Sequence, residues 1–209
     1  EIIDEFCISC GWCVTACSQG AKRVRSSLEE VRALLAGPGK TWALLAPSFP
    51  AAFLDTAPER LVGALRQAGF AGVFEVAFGA DLVSYEYYRR FRQVVEKSPD
   101  DFLISSPCPS VVQYVEKMLP ELAGNLAPVV SPMEATARLV RTRVDPEAKL
   151  VFIGPCVAKK AEGARDGVDA VVTFEELVEL FAAAGVAPAQ AAPSAFHPPH
   201  ANLGRIYPV

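Results

Sequence analysis

The sequence lacks the features that would place it among membrane or nucleic-acid-binding proteins. No apolar run approaches the roughly 18 residues of a membrane-spanning helix, and no signal peptide opens the chain. The 20 Lys and Arg residues are outnumbered by 24 Asp and Glu residues, which gives a net charge of -4. Because a nucleic-acid surface normally carries a basic patch, this balance argues against such a partner. We therefore expect a cytoplasmic protein without a membrane span.

Histidine is also scarce, which leaves few nitrogen ligands for a metal. The two histidines, His197 and His200, flank a proline pair in an alanine- and proline-rich stretch that begins at residue 187. Proline favours extended backbone without internal hydrogen bonds. The stretch is therefore predicted to be a loop, and both histidines are predicted to be solvated residues and not metal ligands.

Cysteine, in contrast, is well represented, with six residues in 209. Cys7, Cys10, Cys13 and Cys17 show the C-x2-C-x2-C-x3-C spacing of bacterial ferredoxins. Disulfides among all four would need longer gaps, and zinc sites usually split their thiols into two separated pairs. Cysteines three apart on a curled loop can converge on one iron–sulfur cube, whereas the fourth usually reaches a different cluster. We expect the first three to share one four-iron cluster and Cys17 to serve a neighbouring one.

The rest of the chain alternates between apolar strands and amphipathic helices. With 51% hydrophobic residues, the chain can bury one substantial core. A glycine–proline cluster at 37–39 marks a boundary between a ferredoxin-type segment, 1–37, and a main domain, 40–209. Predicted strands lie at 41–46, 72–78, 102–105, 149–153 and 169–173. Predicted helices lie at 58–68, 81–95, 111–119, 132–143 and 174–184. Strands separated by helices predict an α/β fold with a largely parallel sheet flanked by helices, and a small N-terminal ferredoxin-like appendage.

Two local features of the helices are also predicted from residue spacing. Tyr85, Tyr88 and Phe91 recur on one side of the helix at 81–95 and are expected to form its buried face. Ser131 immediately precedes Pro132, which predicts a serine N-cap with proline in the first helical position.

The remaining two cysteines each follow a predicted strand and lie beside proline. Cys108 follows 102–105 and Cys156 follows 149–153, and ligands gather at the carboxyl ends of strands in open α/β sheets. A single buried cysteine in such a place is as often a small hydrophobic residue. Two in matching positions favour ligands, so we expect both thiols to face one crevice. For Lys159 and Glu162, spacing alone favours a solvated helix face.

Several motifs around these cysteines resemble the iron-only (FeFe) hydrogenase large subunit. The stretch SSPCP at 105–109, with LPEL at 119–122 and SP at 131–132, resembles the first signature of that family. The stretch GPCVAKKAE at 154–162 resembles the second signature, and the ferredoxin motif stands in front of both, as it does in the family. The resemblance covers essentially the whole chain.

The resemblance implies a role for several residues. Cys108 and Cys156 match cysteines that hold the cubane half of the active-site cluster. Lys159 matches the lysine that hydrogen-bonds a cyanide ligand of the di-iron half, where an ammonium offers three donors and a compensating charge. Glu162 matches a glutamate beside that pocket, and Ser131 falls where a hydroxyl joins the family's proton route.

Departures from the family pattern point to its sensory branch. Pro107 stands where prototypical enzymes have a cysteine that relays protons, and proline has no titratable group. Gly154 replaces the usual methionine, and tyrosines and arginines replace the glutamate-rich stretch after Asp81. The third signature, with the last two cluster cysteines, would lie beyond Val209, and both ends of the sequence look cut.

The resulting functional expectation is a hydrogenase-like iron–sulfur redox protein of sensory type. It would pass electrons between the ferredoxin-type cluster and a hydrogenase-type pocket with a partial ligand set, and its partner would be a ferredoxin-like carrier or a signalling domain. The fragment alone is expected to evolve no hydrogen. The alternatives are a non-catalytic iron–sulfur assembly or carrier factor of the same fold, and a domain that keeps the fold only to bind a partner.

Overall fold

The computed structural model describes residues 2–98, 100–165 and 167–205 and contains a four-stranded parallel sheet. The strand order is β2-β1-β3-β4, with every neighbouring pair parallel. The strands are β1 Thr41–Leu45, β2 Gly72–Glu75, β3 Lys149–Ile153 and β4 Ala170–Val172. Every residue of β1 is buried, as expected for a parallel strand covered on both faces. The predicted α/β class with a parallel sheet is confirmed.

Helices connect and flank these strands. They are α1 Trp12–Thr15, α2 Leu28–Ala36, α3 Phe49–Ala52, α4 Pro58–Gln67, α5 Val76–Lys97, α6 Pro109–Met118, α7 Pro132–Arg143, α8 Ala158–Gly163 and α9 Phe174–Ala183. Ser131 caps α7 as predicted, because its hydroxyl accepts a hydrogen bond from the N–H of Glu134 at 3.3 Å. None of the helices in the described ranges is long and apolar enough to cross a membrane.

The predicted strand at 102–105 is wrong. Only an isolated bridge forms there, between Ile104 and Leu126, outside the four-stranded sheet. The N–H of Ile104 donates to the carbonyl of Asn125, and the carbonyl of Ile104 accepts from Ala127, both at 2.8 Å. The neighbouring Leu103 packs against a small satellite cluster apart from the main core. Leu103 and Ile104 are thus only half-buried and the run does not join the sheet. Periodicity alone cannot distinguish such a run from a buried strand.

The predicted buried aromatic face of α5 is also wrong. Tyr85, Tyr88 and Phe91 are 68%, 57% and 54% exposed. The buried residues of α5 lie in its first two turns, from Val76 to Val83. The predicted strand 72–78 ends at Glu75, because α5 already begins at Val76. Residue spacing defines which side chains share a face, but it does not show which half of a long helix contacts the core.

Gly79 allows α5 to approach α7 closely. A methyl group at this position would lie 2.3 Å from both the carbonyl oxygen of Pro132 and Oγ1 of Thr136. We expect Gly79→Ala to lower the free energy of unfolding by about 1–3 kcal/mol, because overpacking forces the helices apart. Urea denaturation measures this change. Gly124→Ala is the matched control, since a methyl group there would meet nothing within 4 Å and should leave stability within about 0.5 kcal/mol.

Residues 191–202 contain no helix or strand, as predicted for a loop, and the segment packs against the main domain. The ring of His197 lies 5.1 Å from that of Trp42 and 4.6 Å from that of Phe74, between centroids. The N–H of His197 donates to the carbonyl of Val73 at 2.7 Å. His197 is therefore half-buried against these two rings, and the prediction of a solvated residue is confirmed only in part. His200 is exposed, as predicted.

Candidate metal centre

The N-terminal cysteines lie on a tightly curled loop. Ser9 and Gly11 both adopt positive φ angles, +58° and +79°, and two left-handed residues so close together reverse the chain direction. A methyl group at Gly11 would lie 2.7 Å from Cγ2 of Val157, so this position also needs glycine for close approach. The N–H of Ser9 points at the sulfur of Cys7 at 3.4 Å. Hydrogen bonds to cysteine sulfur are a means by which proteins tune iron–sulfur clusters.

Cys17 follows α1 in a setting that favours its thiolate. The backbone N–H groups of Ala21 and Gln19 lower the pKa of the Cys17 thiol, with a smaller contribution from Lys22. A thiolate, and not a thiol, is the form that binds a metal. Cys17 is therefore suited to be a ligand, while the cluster that it would serve stays a prediction.

Helix α6 holds the cysteine loop against the main domain. Lys117, in its last turn, donates from Nζ to the carbonyls of Asp4 at 2.7 Å and of Cys7 at 2.6 Å. The hydroxyl of Ser9 donates to Oε1 of Gln113, one turn earlier, at 3.4 Å. Sequence reasoning missed both contacts, because they join residues that lie more than 100 positions apart in the chain.

A second pair of cysteines lies at the start of α6 and after β3. Cys108 is the N-cap residue of α6, and Cys156 follows the turn that ends β3. Lys159 connects the two segments, because its Nζ donates to the carbonyl of Pro107 at 3.0 Å. Cys156 thus follows a strand as predicted, whereas Cys108 follows the isolated bridge described above.

Lys159 and Glu162 form a buried ion pair. Nζ of Lys159 lies 2.6 Å from Oε2 of Glu162, and the two side chains are only 11% and 7% exposed. The solvated helix face that spacing alone favoured is therefore wrong. Buried charges require such pairing, because an isolated one would pay the full cost of leaving water.

Cys156 and Lys159 line a small apolar cavity of about 150 Å³, whose walls include Pro107, Met133 and Phe152. A methyl group at Gly154 would lie 2.8 Å from the ring of Phe152. The phenylalanine therefore occupies the space that a larger residue at position 154 would need.

A larger cavity of about 650 Å³ lies between the cysteine loop and the main domain. Cys10 lines it from the loop and Cys156 from the domain, so the structure brings one thiol of each set to the same space. Trp12 and Val157 contribute to the walls. Cys108, which is half-buried, lines neither this cavity nor the smaller one.

The donor set is chemically suited to an iron–sulfur cluster. Within the described ranges, no three His, Cys, Asp or Glu side chains gather closely enough to hold one metal ion. A cubane takes its thiolates at separate corners, and soft thiolates are the ligands that iron–sulfur clusters prefer. The curled loop, its glycine and the N–H directed at the Cys7 sulfur therefore suit a four-iron cluster.

A polar network anchors the connection between the loop and the main domain. The carboxylate of Glu176 accepts hydrogen bonds from the N–H of Ser27 at 2.8 Å and the N–H of Thr173 at 2.7 Å. It also accepts from Nζ of Lys160 at 2.9 Å. The Thr173-x-x-Glu176 spacing of a capping box is visible in the sequence, but the bond to Ser27 is not.

This network predicts a loss of stability in acid. Burial is the largest influence on the Glu176 pKa and raises it, but the hydrogen bonds from Lys160, Thr173 and Ser27 together lower the pKa below its ordinary value of 4.5. A lowered pKa contributes stability that is present above about pH 4.5 and is lost as the pH falls towards the folded-state pKa. Denaturation curves between pH 7 and pH 3 should therefore show a shallower acid dependence for Glu176→Gln than for wild type. Equal slopes would contradict the assignment, and Glu96→Gln is the exposed control.

Comparison with known proteins shows which families the chain matches. The family described as "Iron only hydrogenase large subunit, C-terminal domain" matches residues 39–209, and the "4Fe-4S binding domain" matches residues 1–23. The NADP-reducing hydrogenase subunit HndD of Solidesulfovibrio fructosivorans is 31% identical, over 86% of this chain and 36% of that protein. The cytosolic Fe-S cluster assembly factor narfl of Xenopus tropicalis is 24% identical, over 90% of this chain and 47% of that protein. The chain thus spans less than half of the length of either relative.

Solved structures show the same fold. The apo FeFe-hydrogenase HydA1 of Chlamydomonas reinhardtii superposes with a TM-score of 0.76 at 24% identity, over 83% of this chain and 52% of that chain. At this identity the likeness shows the fold alone. With the family match over residues 39–209 and the 4Fe-4S motif ahead of it, the chain belongs to the iron-only hydrogenase large subunit family and is an iron–sulfur protein related to the hydrogenases and to the cytosolic Fe–S assembly factors.

Proposed function

We propose that this chain is part of a hydrogenase-type redox protein of sensory character. In this proposal residues 1–37 and 40–209 are its two units, and electrons pass between the cluster of the first and the pocket of the second. The observation that carries the proposal is the shared cavity lined by Cys10 and Cys156. Helix α2 supports close coupling of the units, because its Leu28 and Val31 are part of the main core.

The residues of the chain take separate roles in this proposal. Cys7, Cys10 and Cys13 hold the N-terminal cluster, and Cys108 and Cys156 contribute to the second site. When bound, the clusters supply one-electron redox chemistry. The chain itself positions them by the curled loop and by α6, and mostly apolar walls line the small cavity beside Cys156.

Lys159 is placed to recognise an anionic group in that cavity. Two of its three ammonium protons are directed at Glu162 and at the carbonyl of Pro107. The third remains for a ligand in the cavity that Lys159 lines. Glu162 fixes the position of the Lys159 ammonium group at 2.6 Å, so we propose it as a positioning residue for the pocket.

The residue at position 107 supports a sensory role and not hydrogen turnover. Ser106, Ser131, Glu134 and Glu162 line a groove of about 430 Å³. Its Glu162 pairs with Lys159, which lines the small cavity. A titratable side chain would be needed to carry protons from this groove to the small cavity. Pro107 occupies the position of that residue, and its carbonyl accepts a hydrogen bond from Lys159. General acid–base catalysis requires such a group within hydrogen-bond reach of the reacting atom.

Anaerobic reconstitution with iron and sulfide tests this proposal. The chain should bind an iron–sulfur cluster and, in an assay with a reduced viologen dye as electron donor, evolve no hydrogen. If the chain binds no iron or sulfide, the redox proposal is overturned. If it evolves hydrogen, the sensory part of the proposal is overturned. The electron partner is proposed to be a ferredoxin-like carrier or a signalling domain.

A second candidate is an assembly or carrier factor, favoured by the likeness to the cytosolic Fe-S cluster assembly factor narfl. A carrier must release its cluster, whereas a redox protein must keep it. Incubation of the reconstituted chain with an apo-ferredoxin separates the two candidates. Rapid transfer of iron and sulfide to the ferredoxin supports the carrier, and retention by this chain supports the redox protein.

A further inference from the structure

Lys117 brings a positive charge to the first cysteine of the N-terminal motif. Its Nζ lies 2.6 Å from the carbonyl oxygen of Cys7 and 2.7 Å from that of Asp4. Within the described ranges its bonds go to these carbonyls and to no carboxylate, whereas Lys159 and Lys160 each pair with a glutamate. No residue of the described ranges therefore neutralises the Lys117 charge by an ion pair.

The helix that carries Lys117 also connects the two cysteine sets. Helix α6 spans ten residues, with Cys108 as its N-cap and Lys117 in its last turn. Gln113 adds a second contact from the same helix to Ser9 in the loop. One rigid element thus sets where the loop lies relative to Cys108.

We infer that Lys117 is a positioning residue that tethers the cysteine loop and raises the reduction potential of its cluster. This inference rests on the proposed function, because it requires a cluster held by Cys7, Cys10 and Cys13. Reduction adds one electron to the cluster and moves no proton, so the reduced form carries more negative charge. A fixed ammonium stabilises that form, and its place in the last turn also offsets the negative end of the α6 dipole.

The reduction potential of the reconstituted chain tests the inference. Titration with dithionite, followed by electron paramagnetic resonance, compares wild type with Lys117→Met, Lys117→Gln and Lys117→Arg. For Lys117→Met we expect an about tenfold fall in the equilibrium constant for reduction, which is about 59 mV for one electron. Lys117→Arg keeps the charge and should change the constant by less than about threefold. Lys97→Met, which removes a charge in the last turn of α5, is the control and should leave it unchanged.

The possible results distinguish three things. These are the tethering of the loop by Lys117, the effect of its charge on the reduction potential, and cluster binding itself, on which the proposed function depends. A normal iron content with an unchanged potential in Lys117→Met would overturn the inference. Loss of the cluster in Lys117→Met but not in Lys117→Arg supports the tether, and a lowered potential in Lys117→Gln with full iron supports the charge effect. Loss in both Lys117→Met and Lys117→Arg, with the main domain still folded by circular dichroism, would overturn it. A wild-type chain that takes up no cluster instead overturns the proposed function.

Discussion

Replacement of Cys10 by alanine is expected to abolish iron binding at the N-terminal loop. Reconstituted wild type should carry about four iron atoms at this site, as in a four-iron cluster, and Cys10→Ala should lose nearly all of them. The reason is that Cys10 is one of three thiols on the curled loop, and a cubane with two protein ligands is poorly held. Iron and acid-labile sulfide, counted per chain after desalting, measure the effect.

Two control variants make the loss at Cys10 interpretable. Cys10 is exposed, so its replacement should leave the main domain folded, which circular dichroism checks. Cys156→Ala removes a thiol from the other wall of the shared cavity and should leave the loop cluster in place. Cys17→Ala shows whether the fourth thiol completes this cluster or serves a neighbouring one in the intact protein. Full iron content in Cys10→Ala would contradict the assignment of the loop.

Replacement of Lys159 by methionine is expected to destabilise the main domain by about 3–5 kcal/mol. The change leaves the carboxylate of Glu162 buried without its partner, and an uncompensated buried charge is costly. The carbonyl of Pro107 also loses its donor. Urea denaturation of the unloaded chain measures the difference without any contribution from a bound cluster.

The double variant tests whether the cost comes from the unpaired charge. Lys159→Met combined with Glu162→Leu removes both charges and should recover most of the lost stability. Arg92→Met is the exposed control, because Arg92 and Glu96 are each 59% exposed, and surface pairs contribute little to stability. A single-variant cost as small as that of Arg92→Met would contradict the burial of the pair.

Much of the fold could be predicted because its signals are local. The apolar runs at Thr41–Leu45 and Lys149–Ile153 became neighbouring strands of the sheet, and Ser131 capped its helix. The run at 102–105 carried the same local signal, but its partner was a loop at Leu126 and not another strand. Strand pairing is a long-range choice, so a short apolar run cannot reveal it.

The site shows the same division between local and long-range information. Spacing alone predicted cluster chemistry for Cys7, Cys10 and Cys13, since four closely spaced thiols leave few other uses. It could not predict that Lys117 reaches the carbonyl of Cys7 or that Lys159 is buried, because both facts depend on contacts across the fold. The sequence does not show whether a lysine side chain is solvated or donates hydrogen bonds to the backbone of a distant loop.

We expect the N-terminal thiols to hold an iron–sulfur cluster on the wall of the cavity that Cys156 also lines. Anomalous diffraction at the iron edge from crystals of the reconstituted chain tests it directly. We predict a compact iron peak bounded by the sulfurs of Cys7, Cys10 and Cys13 and facing Cys156 across the cavity. Iron located elsewhere, or a peak with the absorption edge of zinc at the loop, would contradict the claim.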